Sequence, residues 1–261
     1  MSDKNDQLHK QWFQRLFKAF LNGKTAIKFS KNDIPPDDFL EIFNKGKEES
    51  EEDTIKYMSI ESKIVWSEKG KQEIINQAIR YIDENFHVDD NIYSLNSKER
   101  GRLDREPDNK SNRKEWKMQK DIISKLNGSN SVLPGFQYLF KYGWKPTKSN
   151  GENDLILTNG KGIFAIVETK RVKNVPGNKK AKEDKLSSVL EQARRYKKAF
   201  IKENGLVYKS EDEYSFDIIA VIGVGITDEK DSKRIKYPSP FDQNICEALA
   251  SNRDGFKRYK R

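Results

Sequence analysis

The sequence predicts an α/β (α+β) fold: a central β-sheet flanked by helices, preceded by a mainly helical N-terminal region. Three observations carry this expectation. Residues 155 to 158 (LILT) and 163 to 167 (IFAIV) are β-prone runs flanking Asn159-Gly160-Lys161-Gly162, a hairpin composition. Residues 216 to 224 (FDIIAVIGV) form a nearly continuous apolar run, the mark of a strand buried on both faces. Apolar residues recur with helical period on either side of the hairpin, at Trp116, Ile122, Ile123 and Leu126 and at Leu186, Val189, Leu190, Ala193 and Phe200.

With 261 residues the chain can hold one large domain, or a core of about 150 residues plus an N-terminal one. Hydrophobic residues make up only 34% and charged residues 35%, yet 11% aromatic content argues against wholesale disorder. The net charge of +9 favours a polyanionic partner, because neutralising phosphates releases counterions, although a lysine-rich solvated surface gives the same number. Cys246 is the single cysteine and His9 and His87 the only histidines, which excludes an intramolecular disulfide framework and a Cys/His zinc site. A metal would have to sit on carboxylates. The N-terminus lacks the apolar run of a signal peptide, and no stretch approaches about 18 apolar residues, so a soluble, cytoplasmic protein without a membrane partner is expected.

Along the chain, Leu8, Trp12, Leu16, Phe17 and Phe20 predict an amphipathic helix over residues 6 to 21, stopped near Asn22-Gly23. Residues 37 to 43 read as a short helix after Pro35-Pro36, residues 48 to 53 as an exposed acidic loop, 55 to 66 as strand or helix, and 71 to 86 as helix. From 97 to 113 the apolar content collapses to Leu103, which predicts a basic linker or mobile loop between an N-terminal region (1–96) and a second domain (114–261). Residues 115 to 126 resume a helical pattern closed by Asn127-Gly128, and the aromatic run 132 to 144 hands over to a strand. The segment from Lys170 to Lys185 is dense in Lys and Arg, and Pro176-Gly177 marks it as a loop. The tail from 253 to 261 interleaves basic residues with Phe256 and Tyr259, as a nucleic-acid contact or a frayed terminus would.

Chemistry concentrates at the hairpin. A turn centred near Lys161 sets Thr158 opposite Phe164, Leu157 opposite Ala165 and Asp154 opposite Glu168, and directly opposed residues share a face with Cβ atoms about 4.5 to 5.5 Å apart. Lys170 shares that face by the period-two rule, while the Thr169 side chain points away and leaves its carbonyl near the site. Two adjacent carboxylates repel unless a cation lies between them, and a hard divalent ion, Mg2+ with Mn2+ as substitute, meets that demand. Such a site activates water and polarises a phosphodiester, with Lys170 orienting the water. An ordinary cross-strand salt bridge is the other use of the same residues.

Order and context then make a family resemblance visible. A helix bearing an acid (Glu115), END (152 to 154) opening a strand, IVETK (166 to 170) and a following helix VLEQARRY (189 to 196) resemble the PD-(D/E)XK nuclease superfamily. Gln192-x-x-x-Tyr196 is similar to the QxxxY motif of RecB-like nucleases, and the overall look is that of the nuclease domain of type I restriction R subunits. The resemblance covers roughly residues 113 to 225. It implies a restriction-endonuclease-like core with a central mixed sheet, Asp154 and Glu168 as metal ligands with the Thr169 carbonyl and Glu115 beside them, and Lys170 as the catalytic lysine. Asp121 competes with Glu115 on the same candidate helix. Gln192 and Tyr196 would position DNA or the metal site. Asn153 stands where the superfamily name has Pro.

Phosphate contacts are expected from Arg171, Lys173, Lys179, Lys180 and Lys182 and from Arg195 on the following helix. The expected activity is Mg2+-dependent hydrolysis of DNA in restriction-modification, phage defence or repair, by an endonuclease or an exonuclease. A binding module that keeps the fold without cutting is the alternative, and an RNA-directed endonuclease a more remote one. The chain contains no G-x-x-x-x-G-K-[ST] phosphate loop and so is no ATP-driven translocase by itself. DNA is the expected partner, with a helicase or other subunit, or a second copy in a homodimer, as further candidates.

Overall fold

The computed structural model describes residues 2–30, 32–44, 56–58, 63–89, 95–148, 151–172, 179–209, 215–229 and 232–258. The acidic run 48–53, Lys173 and the last three residues lie outside them. The chain divides into two compact units, Met1–His87 with Glu247–Arg261, and Val88–Cys246.

In the first unit, α1 (Ser2–Leu21), α2 (Asp37–Asn44) and α3 (Gly70–Asn85) accompany a three-stranded antiparallel sheet of β1 (Ala26–Lys28), β2 (Lys56–Met58) and β3 (Lys63–Val65), ordered β1-β3-β2. The aromatic stripe of α1 is core: Trp12, Phe13, Leu16, Phe17 and Phe20 are buried, as are Ile74, Ile75, Ala78, Ile79 and Ile82 of α3. Buried His9 joins α1 to α2 through Asp38, 2.7 Å from its Nε2, and Tyr81 of α3 donates to the same carboxylate at 3.0 Å.

The second unit begins earlier than expected. Residues 97–113 are not a linker: α4 (Ser97–Asp104) and the start of α5 (Lys110–Ser124) occupy them. One apolar residue cannot produce an amphipathic signal, so composition misreads the segment. A capping box starts α4 instead, with Glu99 N donating to Asn96 Oδ1 at 2.9 Å and Asn96 N to Glu99 Oε2 at 3.1 Å. Trp116 Nε1 of α5 donates to Leu103 O at 2.8 Å, pinning the two helices together.

After α5 come β4 (Tyr138–Trp144), β5 (Asn153–Thr158), β6 (Ile163–Arg171), α6 (Lys179–Asn204), β7 (Val207–Lys209), β8 (Ser215–Asp217), β9 (Ala220–Glu229), β10 (Ser232–Lys236) and α7 (Pro240–Arg258). The fold is mixed α/β, with seven helices among the described residues and a five-stranded mixed sheet ordered β10-β9-β6-β5-β4, in which only β6 and β9 run parallel. The apolar run 216–224 is broken at Ile218 and Ile219, whose amides bond Leu206 O and Gly162 O at 2.7 Å each, so β8 leaves to pair with β7. Part of the segment expected as a basic loop is helical. Residues 179–185 are the first turns of α6, in keeping with the helix propensity of Lys, Ala and Glu.

Phe164 and Ile166 of β6 pack with Ile156, Phe140, Tyr196 and Phe200 into one apolar cluster beneath α6. Period-two alternation turns Ala165, Val167 and Thr169 to the other face, where Gln119 of α5 donates to Thr169 Oγ1 at 3.0 Å. Among the described residues no helix is long and apolar enough to cross a membrane.

One buried ion pair holds α6 against the end of the sheet. Lys197 Nζ lies 2.6 Å from Asp242 Oδ1, which also accepts from Gly223 N at 3.0 Å, while Ser239 Oγ donates to Oδ2 at 2.6 Å. Removing the carboxylate strands a buried cation, so Asp242→Ala should lower stability by about 3–5 kcal/mol in urea unfolding.

Candidate active site

The geometry of the site starts at the turn. Asn159 Oδ1 accepts from Lys161 N and Ile163 N at 2.9 and 3.1 Å, and Gly160 and Gly162 take φ of 78° and 90°, values that only glycine adopts without strain. Gly162 O accepts from Ile219 N, tying the turn to the segment that enters β9. With this turn, Thr158 pairs with Phe164, Leu157 with Ala165, Ile156 with Ile166 and Leu155 with Val167, the register expected from the sequence. The ladder stops there, and Asp154 and Glu168 follow as the next step.

The two carboxylates sit side by side, each held by one oxygen. Asp154 Oδ2 accepts from Thr169 N at 2.7 Å and from Thr169 Oγ1 at 2.6 Å. Glu168 Oε1 accepts from Asn153 Nδ2 at 2.6 Å and from Asp154 N at 3.3 Å. The other oxygens, Asp154 Oδ1 and Glu168 Oε2, accept no hydrogen bond from a described residue. Burial pushes the Asp154 carboxyl up to about 6, against the lowering effect of the Thr169 bonds and with a further rise from Glu115; Lys170 opposes it. Burial pushes Glu168 up to about 8, and the neighbouring charge of Asp154 adds to this, while Asn153, the Asp154 amide and Arg195 pull it down. The two titrate as one system.

Helix α5 supplies the next groups. Glu115 Oε1 lies 3.2 Å from Lys170 Nζ, and Gln119, one turn on, bonds Thr169 while accepting from Tyr142 Oη at 2.9 Å. Asp121, the competing acid of this helix, is engaged by Lys125 and Lys233 away from the acid pair. The expectation that the Thr169 side chain points away is corrected, since its hydroxyl touches Asp154. Here the pairing of β6 with β5 has ended while that with β9 continues to Arg171, and Thr169 and Lys170 both reach α5.

Helix α6 brings Tyr196, Arg195 and Gln192. Tyr196 is buried, and its hydroxyl fills the space where a Cβ on Gly151 would lie, so it supports the turn into β5 from beneath. Arg195 is exposed, stacks over the Tyr196 ring at 4.8 Å and acts on Glu168 through its charge. Gln192 is half-buried one turn earlier, with no bond to a described residue. Of the expected phosphate contacts, Arg171 and Lys180 are exposed, whereas Lys179 and Lys182 are described only as helical backbone.

Sequence reasoning missed Asn153, Gln119, Tyr142 and Arg102. Buried Asn153 orients Glu168, and Arg102 bonds Glu152 at 2.8 Å, Tyr142 O at 3.0 Å and Gly143 O at 2.6 Å. Gly143 permits this, with a φ of 63° and the guanidinium where a Cβ would stand. Asn153 was readable as a polar residue opening an apolar strand; the other three carry no local signal.

No family model, no curated protein and no solved structure matches this chain. The donor chemistry of the acid pair fits a hard divalent cation, with two carboxylate oxygens left over and a charge repulsion to relieve. Among the described residues no group of three or more His, Cys, Asp or Glu is arranged to hold a metal, so Asp154 and Glu168 would act with the Thr169 carbonyl and water rather than with a third acid.

The raised carboxyls make the folded state bind more protons than the unfolded one between about pH 4 and about pH 8. Their penalty is therefore absent below this window and complete above it. In chelator, melting scans of Asp154→Asn and Glu168→Gln should each lose part of the wild-type decline in stability between pH 5 and pH 8. Slopes unchanged from wild type would refute the burial of this charge pair.

Proposed function

We propose that the chain is a Mg2+-dependent nuclease with a restriction-endonuclease-like core, which hydrolyses DNA phosphodiester bonds in restriction, phage defence or repair within the cytoplasm. The observation that carries this reading is the pair of buried carboxylates, Asp154 and Glu168, held next to each other with raised pKa values and one uncommitted oxygen apiece. Perturbed acids of this kind cluster at functional sites because a structural role does not require them. The order of a helix with Glu115, a hairpin with Asp154 and Glu-x-Lys, and a helix with Gln192 and Tyr196 supports the same reading.

When bound, Mg2+ or Mn2+ would supply the Lewis acid that polarises the phosphodiester and takes up charge. Asp154 and Glu168 would hold it. Lys170, half-exposed on a flexible stem and steadied by Glu115, can leave that partner to donate to the attacking water or a phosphate oxygen. Thr169 fixes the Asp154 carboxylate and Asn153 that of Glu168, so neither acid must reorganise when substrate arrives. Tyr196 acts as a positioning residue through Gly151, and Arg195, Lys180 and Arg171, all exposed, would supply phosphate contacts.

A second reading, a nucleic-acid-binding module that does not cut, draws support from the engagement of Lys170 with Glu115 and from the lack of a third acidic ligand among the described residues. Incubation of plasmid and linear DNA with Mg2+ or Mn2+ separates the two. Asp154→Asn and Glu168→Gln should abolish cleavage and weaken Mn2+ binding in calorimetry, whereas Lys170→Met should slow cleavage by about 10²–10³-fold with Mn2+ affinity retained. Equal cleavage by wild type and all three variants would remove the assignment.

A further inference from the structure

Between α5 and the ends of β6, β9 and β10 runs a groove of 430 Å³. Its helix wall carries Lys114, Lys117, Asp121 and Lys125, which share one face of α5 and its C-terminal continuation because they are three or four residues apart. From Lys114 to Lys125 this wall is about 16 Å long at the helical rise. The floor is a row across three strands. Arg171 of β6 is the register partner of Asp228 on β9, and Asp228 is that of Lys233 on β10, and paired residues point to the same face of a sheet. Asp121 ties wall to floor: its Oδ1 lies 2.6 Å from Lys125 Nζ, and its Oδ2 accepts from Lys233 Nζ.

Charge and exposure identify the occupant. Five cations stand against two carboxylates, a surplus of three positive charges. Lys114, Lys117, Lys125 and Arg171 are exposed and spread along the groove, so they do not converge on one point as the donors for a single small anion would. Lys117 has only a loose exposed pair with Glu106 at 3.7 Å. A linear polyanion matches such a track. No aromatic side chain lines the groove among the described residues, which leaves no platform for a stacked base and points to contact with phosphates alone.

The groove also leads to the acid pair. Arg171 lies two residues beyond Thr169, whose hydroxyl holds Asp154, so the two are about 7 Å apart along β6 and on the same face. On the facing helix Lys114 immediately precedes Glu115, the partner of Lys170. An acidic polypeptide is also a linear polyanion, but it gives no reason for the track to run up to a pair of carboxylates.

We propose that this groove carries the sugar-phosphate backbone of a nucleic-acid strand, to one side of the phosphate that lies at Asp154 and Glu168, and grips it by charge without regard to base sequence. This rests on the nuclease reading above. Lys114, Lys117, Lys125 and Lys233 thereby become binding residues, and Asp121 a positioning residue that holds two of the ammonium groups in the track.

The test measures binding in chelator, where no cleavage occurs, by anisotropy of a labelled DNA duplex over a range of salt concentrations. Each phosphate neutralised contributes about 0.9 to the slope of log affinity against log salt, so Lys114→Gln/Lys117→Gln/Lys125→Gln should flatten that slope by about 2 to 3 and weaken binding at 0.1 M salt at least about tenfold. Gln has nearly the helix propensity of Lys, so the melting temperature should be retained. Lys18→Gln/Lys24→Gln/Lys28→Gln removes the same charge from exposed positions elsewhere and should leave most of the slope in place. A duplex of scrambled sequence should bind as the first does. Equal losses in the two triple variants, a strong preference between the two sequences, or displacement of the DNA by polyglutamate of equal charge as readily as by unlabelled DNA would overturn the track, even if metal-dependent cleavage is found. Groove-dependent DNA binding without any cleavage in Mg2+ or Mn2+ would instead sustain the track and overturn the nuclease reading.

Discussion

The turn from Asn159 to Gly162 fixes which residue of β5 faces which residue of β6, and a slip of one position would carry Glu168 to the opposite face of the sheet. The constraint spreads outward from there. The Gly162 carbonyl of the turn receives the amides of Ile219 and Ala220, so the same four residues help to set where β9 enters alongside β6. With β6 placed between two partners, its Phe164 and Ile166 face α6 and its Thr169 faces α5. The acid pair, the lysine and the two helices that flank them are thus positioned by one short loop with two glycines in left-handed conformations.

What this scaffold carries at its end is unfavourable for stability. Two carboxyls lose solvent and repel each other, and the surrounding groups offset that only in part: Thr169 through two bonds to one acid, Asn153 through one bond to the other, Lys170 and Arg195 through charge. A fold that needed only to be stable would place apolar residues there, as it does at Leu155, Ile156 and Leu157 immediately beyond. The local conflict with an otherwise consistent sheet is the physical ground for treating this spot as functional.

Features governed by periodicity or by a local turn were legible in the sequence. The register from Leu155 to Thr158, the helices of residues 71–86 and 186–200 and the proximity of Asp154 to Glu168 all follow from spacing alone. Features that depend on distant partners were not. Gln119 looks like any helix-surface glutamine until Thr169 and Tyr142 close around it, and Thr169 meets the Asp154 side chain at the point where β5 no longer pairs with β6. Composition misled at both charged segments: α4 has a single leucine yet is capped by Asn96 and Glu99, a pattern present in the sequence, and α6 begins inside what reads as a loop. The apolar run 216–224 hides a break that only the competing partners Leu206 and Gly162 explain.

Helix α4 has a practical side. An excised fragment trimmed to residue 114 would retain both acids, Lys170 and Tyr196. It would lose Arg102, which clamps two carbonyls at the end of β4 to the residue just before β5. It would also lose the carbonyl of Leu103 that holds Trp116 in place. Such a fragment would present every recognisable motif residue on a frame missing one wall, and a shortened protein meant to keep that wall has to begin near Val88.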